Sequence, residues 1–342
     1  MDAPFLGLAI VCLSGVAGGV FAFPLRMNKV YAEENTLLGA FVVAALVLPL
    51  LAATAILPGW PAVFRAVPAR SLLLPFLLGI GWGMGSFCYA QGVSRIGIGL
   101  TVSTVMTLTM AVGAGIPLVS RWAGVDGTVR AWIVSGIAVC VTGVALFGVA
   151  GRRRDRAAAT GAGARRAGGS LVAGFLWSLG SGLLSPLTNV GFDNARPVVE
   201  TALRLGIDPH FSSLLGWFPV WAGGVTTLIV ILGTRQLRRG TWRLYGARGS
   251  LKDLGRTLLM GLLHFLSQVP YGIGAYMMGT LGTSVGWAAT LAFQLLTANV
   301  MGLLMGEWRG APGSARRLLA AGMLVVLAAV AALAWGSSLP AG

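Results

Sequence analysis

The sequence predicts an all-α polytopic membrane protein: ten transmembrane helices arranged as two inverted five-helix repeats. Three observations carry that expectation. Of 342 residues, 56% are hydrophobic and 10% charged, whereas a soluble domain carries about 25% charged residues. Ten acids and 25 bases cannot coat a globule of this size. The charges are also segregated, leaving eight uncharged windows of 21–30 residues and a ninth, 257–306, of 50. About 20 apolar residues cross the hydrocarbon of a bilayer, so the ninth window holds two crossings. Finally, an Ala/Gly-rich stretch at 157–169 divides the crossings five and five, and the halves share spaced residues.

Span 1, 4–24, follows Met1-Asp2-Ala3, which has no basic residue, and is long enough to be a crossing rather than a cleaved leader. Span 2, 37–58, is preceded by Glu33 and Glu34. Span 3, 71–92, carries Trp82, Ser86 and Tyr89 at helical spacings of four and three, hence on one face, and Gln91 besides. Spans 4 and 5, 97–120 and 131–150, are mostly small and aliphatic. Span 6, 170–191, carries Trp177, Ser185 and Asn189 and ends before Asp193 and Arg196. Span 7 is 211–233, and span 8, 257–278, carries His264, Gln268 and Tyr271, again spaced four and three. Two glycines in Gly279-Thr280-Leu281-Gly282-Thr283 allow a tight turn into span 9, 283–305, with Trp287, Gln294 and Asn299. Glu307 ends that span, and span 10 is 318–337.

Loops after spans 1, 3, 5, 7 and 9 hold 19 of the 25 bases; the other loops and the tails hold 6. The positive-inside rule then places the odd loops in the cytoplasm and both termini outside. The domains are expected at 1–156 and 170–342, joined by a flexible cytoplasmic linker at 157–169. A shift of 182 lays Leu77, Gly79, Tyr89, Gly92 and Gly97 on Leu259, Gly261, Tyr271, Gly274 and Gly279. A shift of 186 lays Gly136 on Gly322 and Val139 on Val325. Because five is odd, a duplicated five-span unit inserts upside down, which is a transporter architecture with its site near the midplane.

The net charge of +15 resides in short loops, where it orients the chain and meets anionic lipid; no basic domain is present to hold nucleic acid. Cys12, Cys88 and Cys140 lie in apolar windows and act as small hydrophobes. Many of the 51 glycines stand at small-xxx-small spacing, such as Gly81 and Gly85, and suit close helix packing. There is no H-E-x-x-H, G-x-S-x-G or Walker sequence, so no enzyme is expected. Two histidines argue against a histidine-based metal site. Without a nucleotide-binding domain, energy must come from gradients, and no cofactor is expected.

Polar side chains in hydrocarbon need partners and turn inward. For each one alone, an interhelical bond is as good a reading as ligand contact. Together Trp82, Ser86, Tyr89, Asn189, Gln268, Tyr271, Trp287, Gln294 and Asn299 are expected to line a wet central cavity. Amides and hydroxyls match the mixed donors and acceptors of a neutral polyol, and indoles match its C–H faces. A drug or lipid cavity needs fewer amides, and an anion site needs Arg or Lys. His264 is the only titratable residue near mid-span, and imidazole exchanges protons near neutrality. A neutral histidine bonded to a neighbouring helix is the competing reading. Glu34 and Asp193, at span boundaries, are the alternative proton sites.

Several stretches carry a likeness. The best runs from Tyr271-Gly272-Ile273-Gly274 through Gly279, Gly282, Ser284-Val285-Gly286-Trp287, Asn299 and Gly302 to Gly306-Glu307-Trp308-Arg309-Gly310-Ala311. A second runs from Gly79-Ile80-Gly81-Trp82-Gly83-Met84-Gly85 through Gly97 to Ile116-Pro117. A third, at 24–37, keeps Glu34-Asn35 of a Trp-x-Trp-Glu-Asn element, with Tyr31 and Glu33 at the tryptophan positions. In these the chain resembles the L-rhamnose–proton symporter family of the drug/metabolite transporter superfamily. The resemblance implies a ten-helix carrier in a bacterial inner membrane, taking up L-rhamnose with a proton. His264 departs from it, standing where the family pattern has an aromatic such as Trp. An exporter or exchanger of another metabolite is the alternative. A membrane sensor would need an output domain outside the bilayer.

Overall fold

In the computed structural model, residues 3–161 and 171–339 are described. Ten helical segments among them are long and apolar enough to cross a bilayer. They are spans 1 to 10: Pro4–Met27, Glu33–Ile56, Ala69–Ile96, Leu100–Ser120, Gly127–Ala157, Leu171–Arg204, Ser213–Arg239, Ser250–Met277, Gly279–Leu304 and Gly313–Ser338. Eight of the uncharged windows supplied one span each and the ninth supplied two. The helices nevertheless overrun the windows, because backbone bonding continues while Arg and Lys reach into the headgroups. Span 8 thus begins at Ser250, and the helix of span 5 continues to Gly161, inside the expected linker. The rest of that linker, 162–169, lies outside the described residues.

Local breaks follow backbone chemistry. Proline lacks the N–H that would bond one turn back. Span 6 accordingly splits at Pro186 into Leu171–Leu184 and Leu187–Asn194, then continues as Arg196–Arg204 with Pro197 in its first turn. Ahead of Pro49, span 2 widens to a π-turn over Val43–Val47. Gly97 and Gly279, which the 182 shift pairs, follow spans 3 and 8 with φ of +81° and +74°, a region open chiefly to glycine. Asp126 caps span 5 by accepting the backbone N–H groups of Thr128 and Val129 at 2.7 and 3.3 Å. The bond from Thr128, then that from Val129, holds its carboxyl below the ordinary range.

The bundle has two ends. At one, the terminal face, the Ala3 N–H donates to the Met277 carbonyl, and the even-numbered loops join them. At the other, the basic face, Arg26 and Arg154 meet Glu307, and Asp253 takes the N–H groups of Lys29, Val30 and Tyr31 at 2.9, 2.6 and 3.0 Å. Odd-numbered loops collect there.

Spans pack in a regular pattern. Span 1 lies against spans 8 and 9, and span 6 against spans 3 and 4. Span 3 lies against span 7, and span 8 against span 2; spans 5 and 10 pair, as do 4 and 9. Adding five to each member, counting on from ten to one, carries this set of pairs onto itself. Glycines permit the closest approaches. A Cβ on Gly79 would strike the Val220 carbonyl, and one on Gly261 the Ala40 carbonyl. One on Gly136 would meet the Leu333 side chain, and one on Gly322 the Phe147 side chain. Leu333 follows Phe147 by 186 residues, as Gly322 follows Gly136.

Candidate functional site

Polar side chains gather at three depths. Nearest the terminal face, the short helix after Pro186 presents Asn189, which is fully buried. Its Nδ2 donates to the carbonyls of Gly113 (2.8 Å) and Thr283 (3.0 Å), and its Oδ1 accepts from the Tyr271 hydroxyl. One turn on, Asp193 accepts from Thr283 Oγ1 (2.7 Å) and Arg121 Nη2 (2.5 Å), with Arg196 Nε at 3.8 Å. Trp287 Nε1 donates to the Thr109 carbonyl at 3.0 Å, and its ring meets Tyr271 edge-on at 5.7 Å. Spans 4, 6, 8 and 9 are tied together here, and both Asn189 amide hydrogens are spent on protein. Stacked beside the knot, Phe192, Trp217 and Trp221 fill the remaining space. The arrangement closes this end.

Halfway through the bundle, Trp82 and His264 lie with their rings parallel to 4°, centroids 6.3 Å apart. Each stands near the middle of a 28-residue helix, span 3 or span 8, and they are 182 residues apart. Phe41 of span 2 presents its edge to both rings, at 5.9 and 5.1 Å, and Phe21 tilts against His264 at 5.3 Å. His264 Nε2 is buried without a hydrogen-bond partner, and so is Gln268 Oε1 one turn away. The Gln268 amide nitrogen reaches only Ser267 Oγ, at 3.4 Å. Gln294 of span 9 lies against Gly18 of span 1. Buried polar atoms normally have partners, and here two without one stand a turn apart on span 8. The imidazole nitrogen can accept or donate according to its tautomer, and Gln268 Oε1 accepts.

Toward the basic face lie two cavities. One, of about 310 Å³, sits among spans 2, 3 and 7 and is lined in part by Ser86, Gln91, Phe41 and Arg235. Tyr89 is partly buried on the same face of span 3 as Trp82. The second cavity, of about 160 Å³, holds Asn299 with Arg154 and Trp308, among spans 4, 5 and 9. Asn299 Nδ2 donates one turn back, to the Leu295 carbonyl at 2.8 Å. Arg154 covers the Trp308 ring at 4.9 Å and reaches Glu307 at 3.4 Å. The Glu307-Trp308 motif therefore clamps spans 1, 5 and 9. Glu34, 2% exposed, faces Arg235 Nε (3.5 Å) and Arg239 Nη1 (3.7 Å) and accepts from Thr241 Oγ1 at 3.2 Å.

The sequence-expected residues thus form no single cluster. Asn189, Tyr271 and Trp287 meet near the terminal face; Trp82, His264 and Gln268 meet at the centre. Ser86 and Asn299 occupy separate cavities, and the carboxylates Asp193 and Glu34 stand at opposite ends, each beside arginines. Arg121 and Thr283 escaped the sequence reading. Their signal was indirect: Asp193, beside an apolar span, required a cation, and the even loops hold few.

Residues 2–338 match the family described as L-rhamnose-proton symport protein. The L-rhamnose-proton symporter of Cronobacter sakazakii is 24% identical over 340 residues, covering 96% of each chain. That of Klebsiella pneumoniae is 23% identical over 335 residues, covering 95% of each, and that of Yersinia pestis 23% over 339, covering 96% of each. The family is one of transporters and not of enzymes. With ten apolar helices and a match over nearly its whole length, this multi-pass membrane chain belongs to the L-rhamnose-proton symport protein family.

Proposed function

We propose that the chain takes up L-rhamnose together with a proton across a bacterial inner membrane, by alternating access between two inverted repeats at 1–156 and 170–342. Family membership and the names of the relatives support the activity. The pairing of spans, which maps onto itself when five is added, supports the inverted repeats and with them the drug/metabolite transporter superfamily. The observation that supports the site is the pair of unpartnered atoms, His264 Nε2 and Gln268 Oε1, a turn apart on span 8 where the His264 ring faces Trp82. A neutral sugar supplies the missing hydroxyl partners, and its C–H face suits an indole.

In this reading Trp82, Gln268 and Gln294 hold the sugar at the centre. Asn189, Tyr271 and Trp287 close the terminal face behind it, Asn299 lines a way to the basic face through the smaller cavity, and Ser86 and Tyr89 contribute from span 3. The 19-to-6 count of bases supports a cytoplasmic basic face with both termini periplasmic. Both cavities then lie on the inward side of the centre. His264 is the titratable group nearest the sugar and carries the proton. Asp193 and Glu34, held by arginines at the two ends, are the alternatives. A symporter needs a site whose proton affinity differs between its two states, since only differential affinity moves an equilibrium.

The test is transport in proteoliposomes with an internal pH dye and a sugar panel. His264→Gln, Glu34→Gln and Asp193→Asn are each assayed for counterflow and for proton-driven uptake. Counterflow needs binding and rocking without net proton movement. His264→Gln is expected to keep counterflow and lose accumulation. Full pH-driven accumulation by His264→Gln passes the role to whichever carboxylate variant loses it. Sugar movement without internal acidification in the parent protein refutes symport and leaves exchange or export.

A further inference from the structure

The larger cavity has features that a route for a neutral sugar does not require. Spans 3 and 7 lock together where Gly79 meets Val220 and Gly83 meets Thr227. Closer to the basic face, span 7 passes into a π-turn over Ile229–Gly233, and the 310 Å³ cleft lies between spans 3 and 7 with span 2 as its floor. Its walls are apolar over most of their length: Leu37, Phe41, Phe87, Ala90, Leu228 and Ile231. Phe87 is 39% exposed, and Val230, beside Ile231, 62%, so one flank faces the hydrocarbon. Of the few polar wall groups, Gln91 Oε1 already accepts from Arg95 at 2.5 Å. A sugar would find few partners here.

The mouth is different. Arg235, Arg238 and Arg239 surround it, with Glu33 beside them. Arg235 Nε is buried without a hydrogen-bond partner, the Glu34 carboxylate lying 3.5 Å away. Arg239 addresses the same carboxylate from 3.7 Å, and exposed Arg238 makes no ion pair among the described residues. Two guanidinium groups thus address the one carboxylate of Glu34 and the third stands beside them, above an apolar slot open to lipid. A buried cationic N–H with an unmade bond calls for an anionic oxygen. Guanidinium fits phosphate in particular.

We infer that this cleft is a binding site for one anionic phospholipid, with an acyl chain along Phe41, Phe87 and Leu228 and phosphate oxygens at Arg235 and Arg238. The cleft adjoins the central site at Phe41, and its occupancy by lipid does not depend on what is transported.

The experiment is native mass spectrometry of the full chain. It is released from micelles equilibrated with equimolar phosphatidylglycerol and phosphatidylcholine of identical acyl chains. One phosphatidylglycerol is expected to be retained in preference to phosphatidylcholine, and Arg238→Gln to weaken that preference about fivefold, the share of one base near an anionic headgroup. Ala90→Trp fills the slot and leaves the arginines intact; it is expected to abolish retention. Should that variant fail to fold, Ile231→Trp fills the slot from the opposite wall. Equal retention of the two lipids overturns the inference. So does a phosphatidylglycerol preference that survives the filled slot, because headgroup attraction to the surface alone would produce it. Displacement of the lipid by millimolar L-rhamnose would give the cleft to the sugar's path instead.

Discussion

Asn189 and Gln268 are both amides in apolar helices, and their fates differ. Asn189 is fully buried and makes three hydrogen bonds to spans 4, 8 and 9, whereas Gln268 keeps a buried oxygen without a partner. A polar bond inside a membrane protein contributes about 0.6 kcal/mol on average. Asn189→Leu, which removes three, is therefore expected to lower stability by about 2 kcal/mol, read as the unfolding free energy in bicelles. Gln268→Leu leaves the oxygen's environment no poorer in bonds and is expected to cost far less, while weakening sugar binding. If the two variants unfold alike, the distinction between structural and ligand-facing amides fails. The sequence supplied the candidates Asn189 and Gln268 alike. Nothing in their neighbours in sequence distinguishes them, because their partners come from spans up to 94 residues away.

Among the elements, glycine sets how closely two spans approach. Gly79 and Gly115 look alike in sequence, each inside an apolar span near further glycines. In the fold, a Cβ on Gly79 would strike the Val220 carbonyl, whereas one on Gly115 would meet nothing within 4 Å. Backbone cannot swing aside as a side chain can. Gly79→Ala is expected to cost about 1–3 kcal/mol through overpacking. Gly115→Ala is expected to be neutral or to stabilise by up to about 1 kcal/mol through helix propensity. Thermal melting of the two detergent-purified variants checks the pair, and a similar loss in both would refute the assignment. The span boundaries were legible because charge and apolarity are local properties. The break at Pro186 was not drawn from the sequence, although proline supplies its cause.

For the whole molecule, the terminal face is shut by Asp193, Arg121, Thr283 and the Asn189 knot, while both cavities lie toward the basic face. Removing the Arg121 charge leaves Asp193 with Arg196 at 3.8 Å and Thr283 alone. A cysteine at buried Ser284, in a chain freed of Cys12, Cys88 and Cys140, reports on that closure. Its labelling by an impermeant maleimide is expected to be slow, and Arg121→Gln to speed it at least about tenfold, the factor given by 1.4 kcal/mol of lost closure. Unchanged labelling would mean that the ion pair does not hold the gate. The orientation has its own check. A C-terminal reporter that is active only in the cytoplasm is expected to stay silent, and a signal would reverse the reading of the loop charges.

Ten crossings and an arginine-rich face shared by the odd loops were legible in the sequence alone. Both follow from local composition: a crossing needs about 20 apolar residues, and charges remain in water. The sequence also held the 182-residue spacing that relates Trp82 to His264. It took the fold to bring these two rings parallel at mid-span, to set Asp193 against Arg121, and to turn Asn299 into a different cavity from Ser86. Hydrogen bonds and ring contacts act over a few ångströms, so they depend on how each helix is rotated about its axis. That rotation is set by close approaches such as Gly79 to Val220, between spans remote in sequence.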